Sequence, residues 1–133
     1  MEKSKEFIKK GAVGYIRCHA KETKNSYGVV EQEKAIRSYV SENEYRLLEI
    51  FTDKNKSGKT FERSGLQALL KYIEGNNRVK FLIVSDVSRL STNTDGLKSL
   101  KRFLKDSWVK LISLVYLMPK GSKDNGEKPK QLS

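Results

Sequence analysis

Residues Val79–Asn93 read VKFLIVSDVSRLSTN. The first seven, Val79–Ser85, form a short apolar run with the pattern of a buried strand. The rest is a polar loop that carries Asp86, Ser88, Arg89 and Ser91. Ser, Thr and Asn favour helix starts, which accounts for Ser91 or Asn93. They do not account for Arg89, a long cation at the end of a buried strand.

Working outward from this strand, the same alternation recurs. Before it, Arg63–Glu74 reads as a helix, with Leu66, Leu69, Leu70 and Ile73 in an i, i+3, i+4, i+7 stripe that "GNN" stops. After it, Thr94–Lys105 reads as a helix with Leu97, Leu100 and Leu104 inward, and Val109–Val115 as a strand. Further out lie a strand at Tyr45–Thr52 and a helix at Val29–Asn43, whose Val29, Gln32, Ile36, Tyr39 and Val40 fall near one face. A first strand spans Ala12–Cys18. Strands alternating with helices across short connections predict a four-stranded, mainly parallel sheet flanked by helices in an α/β domain. Ligands of such sheets bind beyond the carboxyl ends of the strands. The loops that matter are therefore His19–Gly28, Asp53–Phe61 and Asp86–Asn93.

At 133 residues the chain is one domain. Residues 1–10 and 119–133 read as polar, flexible tails around a domain over 11–118. No apolar run is long enough for a bilayer, and the amino end lacks a signal-peptide core, so no membrane partner is expected. With one cysteine and one histidine, neither an internal disulfide nor a zinc site is expected, and a reducing cytoplasm fits best. Cys18 is read as a small buried hydrophobe. The net charge is +11, and the lysine-rich tails carry only part of it. A central region that basic points to a polyanion, most commonly nucleic acid.

The three loops bring chemistry to one edge. Side chains alternate along a strand, so Arg17 and His19 point the same way. The second loop, "DKNKSGKT", holds Asp53, Lys54, Ser57 and Lys59 before Arg63. It lacks the leading glycine of a P-loop and reads instead as a basic flap over a phosphate. Arg17, Arg63 and Arg89 are thus expected to converge on one phosphate, where guanidinium groups stabilise charge that develops during phosphoryl transfer. A receiver-type domain needs an acidic pair after the first strand, where this chain has Arg17-Cys18-His19. A dinucleotide-binding fold needs a G-x-G-x-x-G that is absent.

Taken together, "GYIRCHA", "EQEKAI", "FTDKNKSGKTFERSGLQALL" and "FLIVSDVSRLSTN" resemble the catalytic domain of the serine site-specific recombinases, the resolvases and invertases. The resemblance spans Ala12–Leu114 in order and spacing. It implies a flavodoxin-like, three-layer fold. It also implies DNA breakage and rejoining without ATP or a required metal, in which a serine attacks the scissile phosphate and frees a 3′-hydroxyl within a tetramer. On this resemblance Arg17 is the first catalytic arginine, Gln32 a glutamine of the first helix, Asp53, Ser57 and Gly58 part of the mobile loop, and Arg63 the next active-site arginine. Arg89 is the first arginine of a D-R-L-x-R motif.

The departures fall on the chemistry. His19 stands at the nucleophile position, Thr92 at the second arginine of D-R-L-x-R, and Ser88 at its aspartate, for which Asp86 substitutes. After Val115, glycine, two prolines and scattered charges do not suit the family's long dimerisation helix, so that helix and the DNA-recognition domain are expected to be missing. The reading is a catalytically impaired recombinase-like domain, inactive alone. It needs no cofactor, binds DNA weakly and without sequence preference, and pairs with an intact serine recombinase or with itself. The competing expectations are an active recombinase with a non-standard nucleophile, and a protein-interaction module with an apolar patch around Val115, Tyr116 and Leu117.

Overall fold

The computed structural model describes residues 9–19, 28–55, 63–91, 93–115 and 131–132, with backbone alone at 19, 55, 131 and 132. Strands β1 (Gly11–His19), β2 (Arg46–Asn55), β3 (Val79–Val84) and β4 (Lys110–Ser113) alternate with helices α1 (Val29–Glu42), α2 (Ser64–Glu74) and α3 (Thr94–Asp106). A short 3-10 turn, Val87–Arg89, follows β3. All four strands pair in parallel, and a two-residue β5 (Gln131–Leu132) adds antiparallel to β4. The sheet order is β2-β1-β3-β4-β5. The chain thus moves outward from β1 in one direction and from β3 in the other. The carboxyl ends of β1 and β3 flank the switch point where open α/β sheets bind ligands.

The strands bury both faces, which makes three layers. Val13 and Tyr15 of β1 face Leu66, Leu69 and Ile73 of α2 and Leu104 of α3. Ala12 and Ile16 face Ile36 and Val40 of α1. The expected leucine stripes of α2 and α3 pack into one and the same side of the core. Leu97 and Leu100 are only half-buried at the margin of α3.

Element boundaries shift by one to three residues from expectation, and three of the shifts have a visible cause. β2 begins at Arg46 because the amide of Tyr45 is still bound to the carbonyl of Val40 at 3.0 Å. It then runs past Thr52 to Asn55, pairing with β1 throughout, so Asp53 lies in a strand and not in a loop. β4 starts after Val109, because the chain leaves α3 through Trp108 at φ 62° and the amide of Val109 is still bound to the carbonyl of Leu104. Among the described residues no helix is long and apolar enough to cross a membrane. Residues 1–8 and 116–130, most of the two expected tails, lie outside the described residues.

Candidate phosphate site

Arg17 leaves β1 on the face shared with Tyr15, toward the turn after β3. Its Nε donates to the carbonyl of Arg89 at 2.9 Å and its Nη2 to that of Ser88 at 2.8 Å. Arg89 returns the contact, its Nη1 donating to the carbonyl of Arg17 at 2.9 Å. Arg63, at the start of α2, donates from Nη2 to the same Arg89 carbonyl at 2.9 Å and to the Tyr15 hydroxyl at 3.1 Å. The three arginines singled out in the sequence are therefore brought together, tied through the backbone carbonyls of Arg17 at the end of β1 and of Ser88 and Arg89 in the turn after β3.

The acceptors are neutral, so among the described residues no carboxylate pairs directly with these guanidinium groups. Among the described residues the ion pair is Arg37–Glu33 on α1, away from this cluster. The Nε atoms of Arg63 and Arg89 are buried with no hydrogen-bond partner among the described residues. Buried donors of this kind are costly unless something accepts from them. Burial and then the neighbouring Arg63 charge pull the Arg17 pKa below its ordinary value, yet a guanidinium starts so high that it stays charged at neutral pH.

Asp53 supplies the negative charge behind the cluster. Its carboxylate is buried, 4% exposed, and touches no guanidinium. One oxygen accepts from the Gly65 amide at 2.7 Å. The other accepts from the Leu66 amide at 2.9 Å and the Tyr15 hydroxyl at 2.7 Å. Asp53 thus fixes α2, and with it Arg63, against β2. Its hydrogen bonds place it as a positioning residue behind the arginines. Tyr15, fully buried, has its pKa pushed up to about 12 by burial and the Asp53 bond, partly offset by Arg63. It stays a neutral phenol that accepts from Arg63 and donates to Asp53.

Gln32 also holds the frame. It is fully buried, its Nε2 donates to the Arg17 carbonyl at 3.2 Å, and its Oε1 accepts from Ser85 Oγ at 3.4 Å. Asp86 caps the 3-10 turn through the Ser88 amide at 3.1 Å, which sets the Ser88 carbonyl that Arg17 uses. Lys54 is exposed on β2 beside Cys18 of β1. Cys18 is buried, as read. Asn93 caps α3 by accepting from the Gly96 amide at 2.9 Å. The backbone of His19 closes β1 opposite Asn55, one residue past Cys18 and on the alternation of Tyr15 and Arg17. Ser57, Lys59 and Thr92 lie outside the described residues. Among the described residues no group of three or more His, Cys, Asp or Glu is placed to hold a metal.

Two site residues escaped the sequence reading, Tyr15 and Ser85. The signal for Tyr15 was present: it is two residues before Arg17 on a strand, hence on the same face. Nothing in the sequence marks Ser85, a small residue at a strand end.

The chain was compared with known proteins. The family described as resolvase, N-terminal domain, matches residues 12–127. No curated protein matches. Among solved structures, a resolvase family site-specific recombinase from Streptococcus pneumoniae superposes with a TM-score of 0.70 at 24% identity, over 80% of this chain and 73% of that one. The N-terminal catalytic domain of TP901-1 integrase gives 0.66 at 24% identity, over 80% and 78%. A serine recombinase from Sulfolobus solfataricus gives 0.61 at 24% identity, over 88% and 71%. At this identity the structural likeness speaks for the fold.

Proposed function

This chain belongs to the resolvase N-terminal domain family, and from that premise we propose that it holds a DNA phosphate in the Arg17–Arg63–Arg89 cluster while lacking efficient strand cleavage of its own. The carrying observation is the pair of buried, unpartnered Nε atoms of Arg63 and Arg89 in a cluster of three guanidinium groups. A phosphate diester is an acceptor of the right charge, and arginine forks match its oxygens.

The chemistry that such a cluster serves is in-line attack on phosphorus. Negative charge grows on the non-bridging oxygens as the new bond forms, and fixed guanidinium groups stabilise it. The framework of Tyr15, Asp53 and Gln32 keeps the cations aimed without reorganisation. The attacking group is the weak point. His19 stands where the resemblance calls for a serine. Imidazole is longer, differently oriented and mostly neutral at pH 7. Thr92 replaces a further cation, and loss of one such donor costs on the order of a hundredfold in rate. The domain then acts beside DNA as an accessory to an intact recombinase or to a second copy.

The test is a covalent-adduct assay. The native chain and a His19→Ser/Thr92→Arg variant are mixed with supercoiled plasmid and separated in detergent. The expected result is no protein-linked DNA from the native chain and a detectable adduct from the variant. An adduct from the native chain, lost in His19→Ala, would make His19 a working nucleophile and overturn the impaired reading.

A further inference from the structure

The opposite edge of the sheet carries a second basic surface that the arginine cluster does not explain. The amino ends of β1, β2 and β3 enclose a groove of about 400 Å³. It is lined by Lys9, Lys10, Arg46, Arg78 and Lys80, all exposed, and among the described residues no carboxylate lines it. The sheet register assembles them. The Arg46 amide donates to the Lys10 carbonyl at 2.8 Å, and Gly11 pairs with both Arg46 and Val79. A Cβ on Gly11 would collide with the Arg78 carbonyl and the Leu48 side chain, so glycine is what lets β1 start so close to Arg78.

An ordinary role for cations at this edge is to offset helix carboxyl ends, which carry partial negative charge. That role leaves most of them over: α2 and α3 carry Lys71 and Lys105 in their own last turns, so only the α1 end, which has no basic residue, is left for five cations to offset. None of the five cations takes part in the ion pair found among the described residues. A protein partner fits poorly as well, because interface cores are depleted in lysine and enriched in apolar and aromatic side chains. Among the described lining residues Leu48 is the one large apolar side chain, and it is half-buried.

We propose that this groove is a second nucleic-acid contact, which grips the phosphodiester backbone without reading sequence. Lys10 stands just before β1 and Arg17 seven residues further along it, about 23 Å away. The two surfaces lie at opposite ends of the sheet, so the groove is a contact separate from the arginine cluster. Backbone contact by lysine and arginine releases counterions, so its mark is salt dependence that is blind to sequence. This inference does not rest on the arginine cluster binding phosphate, and its test is independent of strand cleavage.

The test is fluorescence anisotropy with labelled 30-base-pair duplexes of two unrelated sequences, and with one of their single strands, across a range of KCl concentrations. The native chain is compared with Lys10→Gln/Arg78→Gln, with Lys10→Glu/Arg78→Glu and with Arg17→Gln/Arg89→Gln. Circular dichroism checks that each is folded. The neutral groove pair is expected to weaken binding several-fold at low salt, equally for both sequences, and to lower the log–log salt slope by about 2. The charge-reversed pair is expected to weaken it tenfold or more. The groove and cluster variants are expected to act independently of each other. If only one duplex sequence loses affinity, backbone gripping is wrong. Groove variants that bind like the native chain with an unchanged slope would overturn the proposal. So would absence of native-chain binding at low salt, or a groove-dependent dimer that forms without nucleic acid. A cluster variant that binds normally beside a weakened groove variant would support this site and count against the phosphate site instead.

Discussion

The Tyr15 hydroxyl stands between Asp53, to which it donates at 2.7 Å, and Arg63, from which it accepts at 3.1 Å. Folding raises its pKa from 10.0 to about 12, chiefly by burial, so the folded state prefers the neutral phenol. The stabilisation tied to that preference is complete below pH 10, and it is lost as pH climbs from 10.0 to about 12. A two-unit shift corresponds to roughly 2–3 kcal/mol. In Tyr15→Phe the hydrogen bonds go and so does this titration. At pH 7 the variant is expected to be less stable by about 1–3 kcal/mol, since a buried carboxylate loses a donor. Above pH 10 its stability is expected to decline less steeply than that of the native chain, which urea unfolding at stepped pH would show. Parallel declines would mean that the phenol is not held neutral by the fold. At this scale the arginines were legible because a long cation at the end of an apolar strand is out of place without a purpose. The tyrosine was not, because an aromatic inside a strand looks like core, and its function lies wholly in the hydroxyl. That the Gln32 amide donates to the Arg17 carbonyl was not legible, since periodicity places Gln32 on a face but does not give its partner.

Helix α2 begins without help from its own sequence. Arg63 at its N-cap makes no side-chain capping bond. The cap comes from β2, where both Asp53 oxygens accept from the first-turn amides of Gly65 and Leu66. The close approach needs glycine, because a Cβ at position 65 would lie 2.6 Å from the Thr52 carbonyl oxygen and 2.9 Å from Asp53 Oδ1. In an open helix, Gly→Ala is stabilising by about 1 kcal/mol. Here the added methyl meets backbone and the capping carboxylate, so Gly65→Ala is expected to destabilise by roughly 1–3 kcal/mol, in the range of an overpacked core. Thermal unfolding decides the sign. A higher Tm would show that the Asp53 clamp yields, and with it the placement of Arg63. The leucine stripe made the helix legible, since Leu66, Leu69 and Ile73 are its buried residues. The clamp was not legible, because it joins a strand to a helix through a loop. Periodicity reports which face is inward but not what ties the end down.

Charge is distributed over the whole molecule in a way that the sheet order explains. Placing β1 between β2 and β3 brings Arg17, Arg63 and Arg89 to one end and five exposed cations to the other. The alternation of strand and helix was legible, and with it the end at which ligands bind. The opposite groove was not, because it exists only once three strand starts are in register. A net charge of +11 makes the fold self-repelling, so any salt is expected to stabilise it by screening. Specific filling of the arginine cluster adds a second effect that screening does not give. At matched ionic strength, pyrophosphate at ten times its Kd would add about 1.4 kcal/mol over chloride. For a domain of this size that is a Tm rise of roughly 3–7 °C. The increment is expected to disappear in Arg17→Gln/Arg89→Gln and to survive in Lys10→Gln/Arg78→Gln, because a compact anion needs converging guanidinium groups while a broad groove suits an extended backbone. Measuring each variant against its own chloride baseline removes any change in intrinsic stability. If the increment instead vanishes with the groove lysine and arginine and persists without Arg17 and Arg89, the cluster does not hold phosphate. Its buried Nε atoms would then be a structural cost of tying β1 to β3, and the anion-binding end of this fold would be its amino edge.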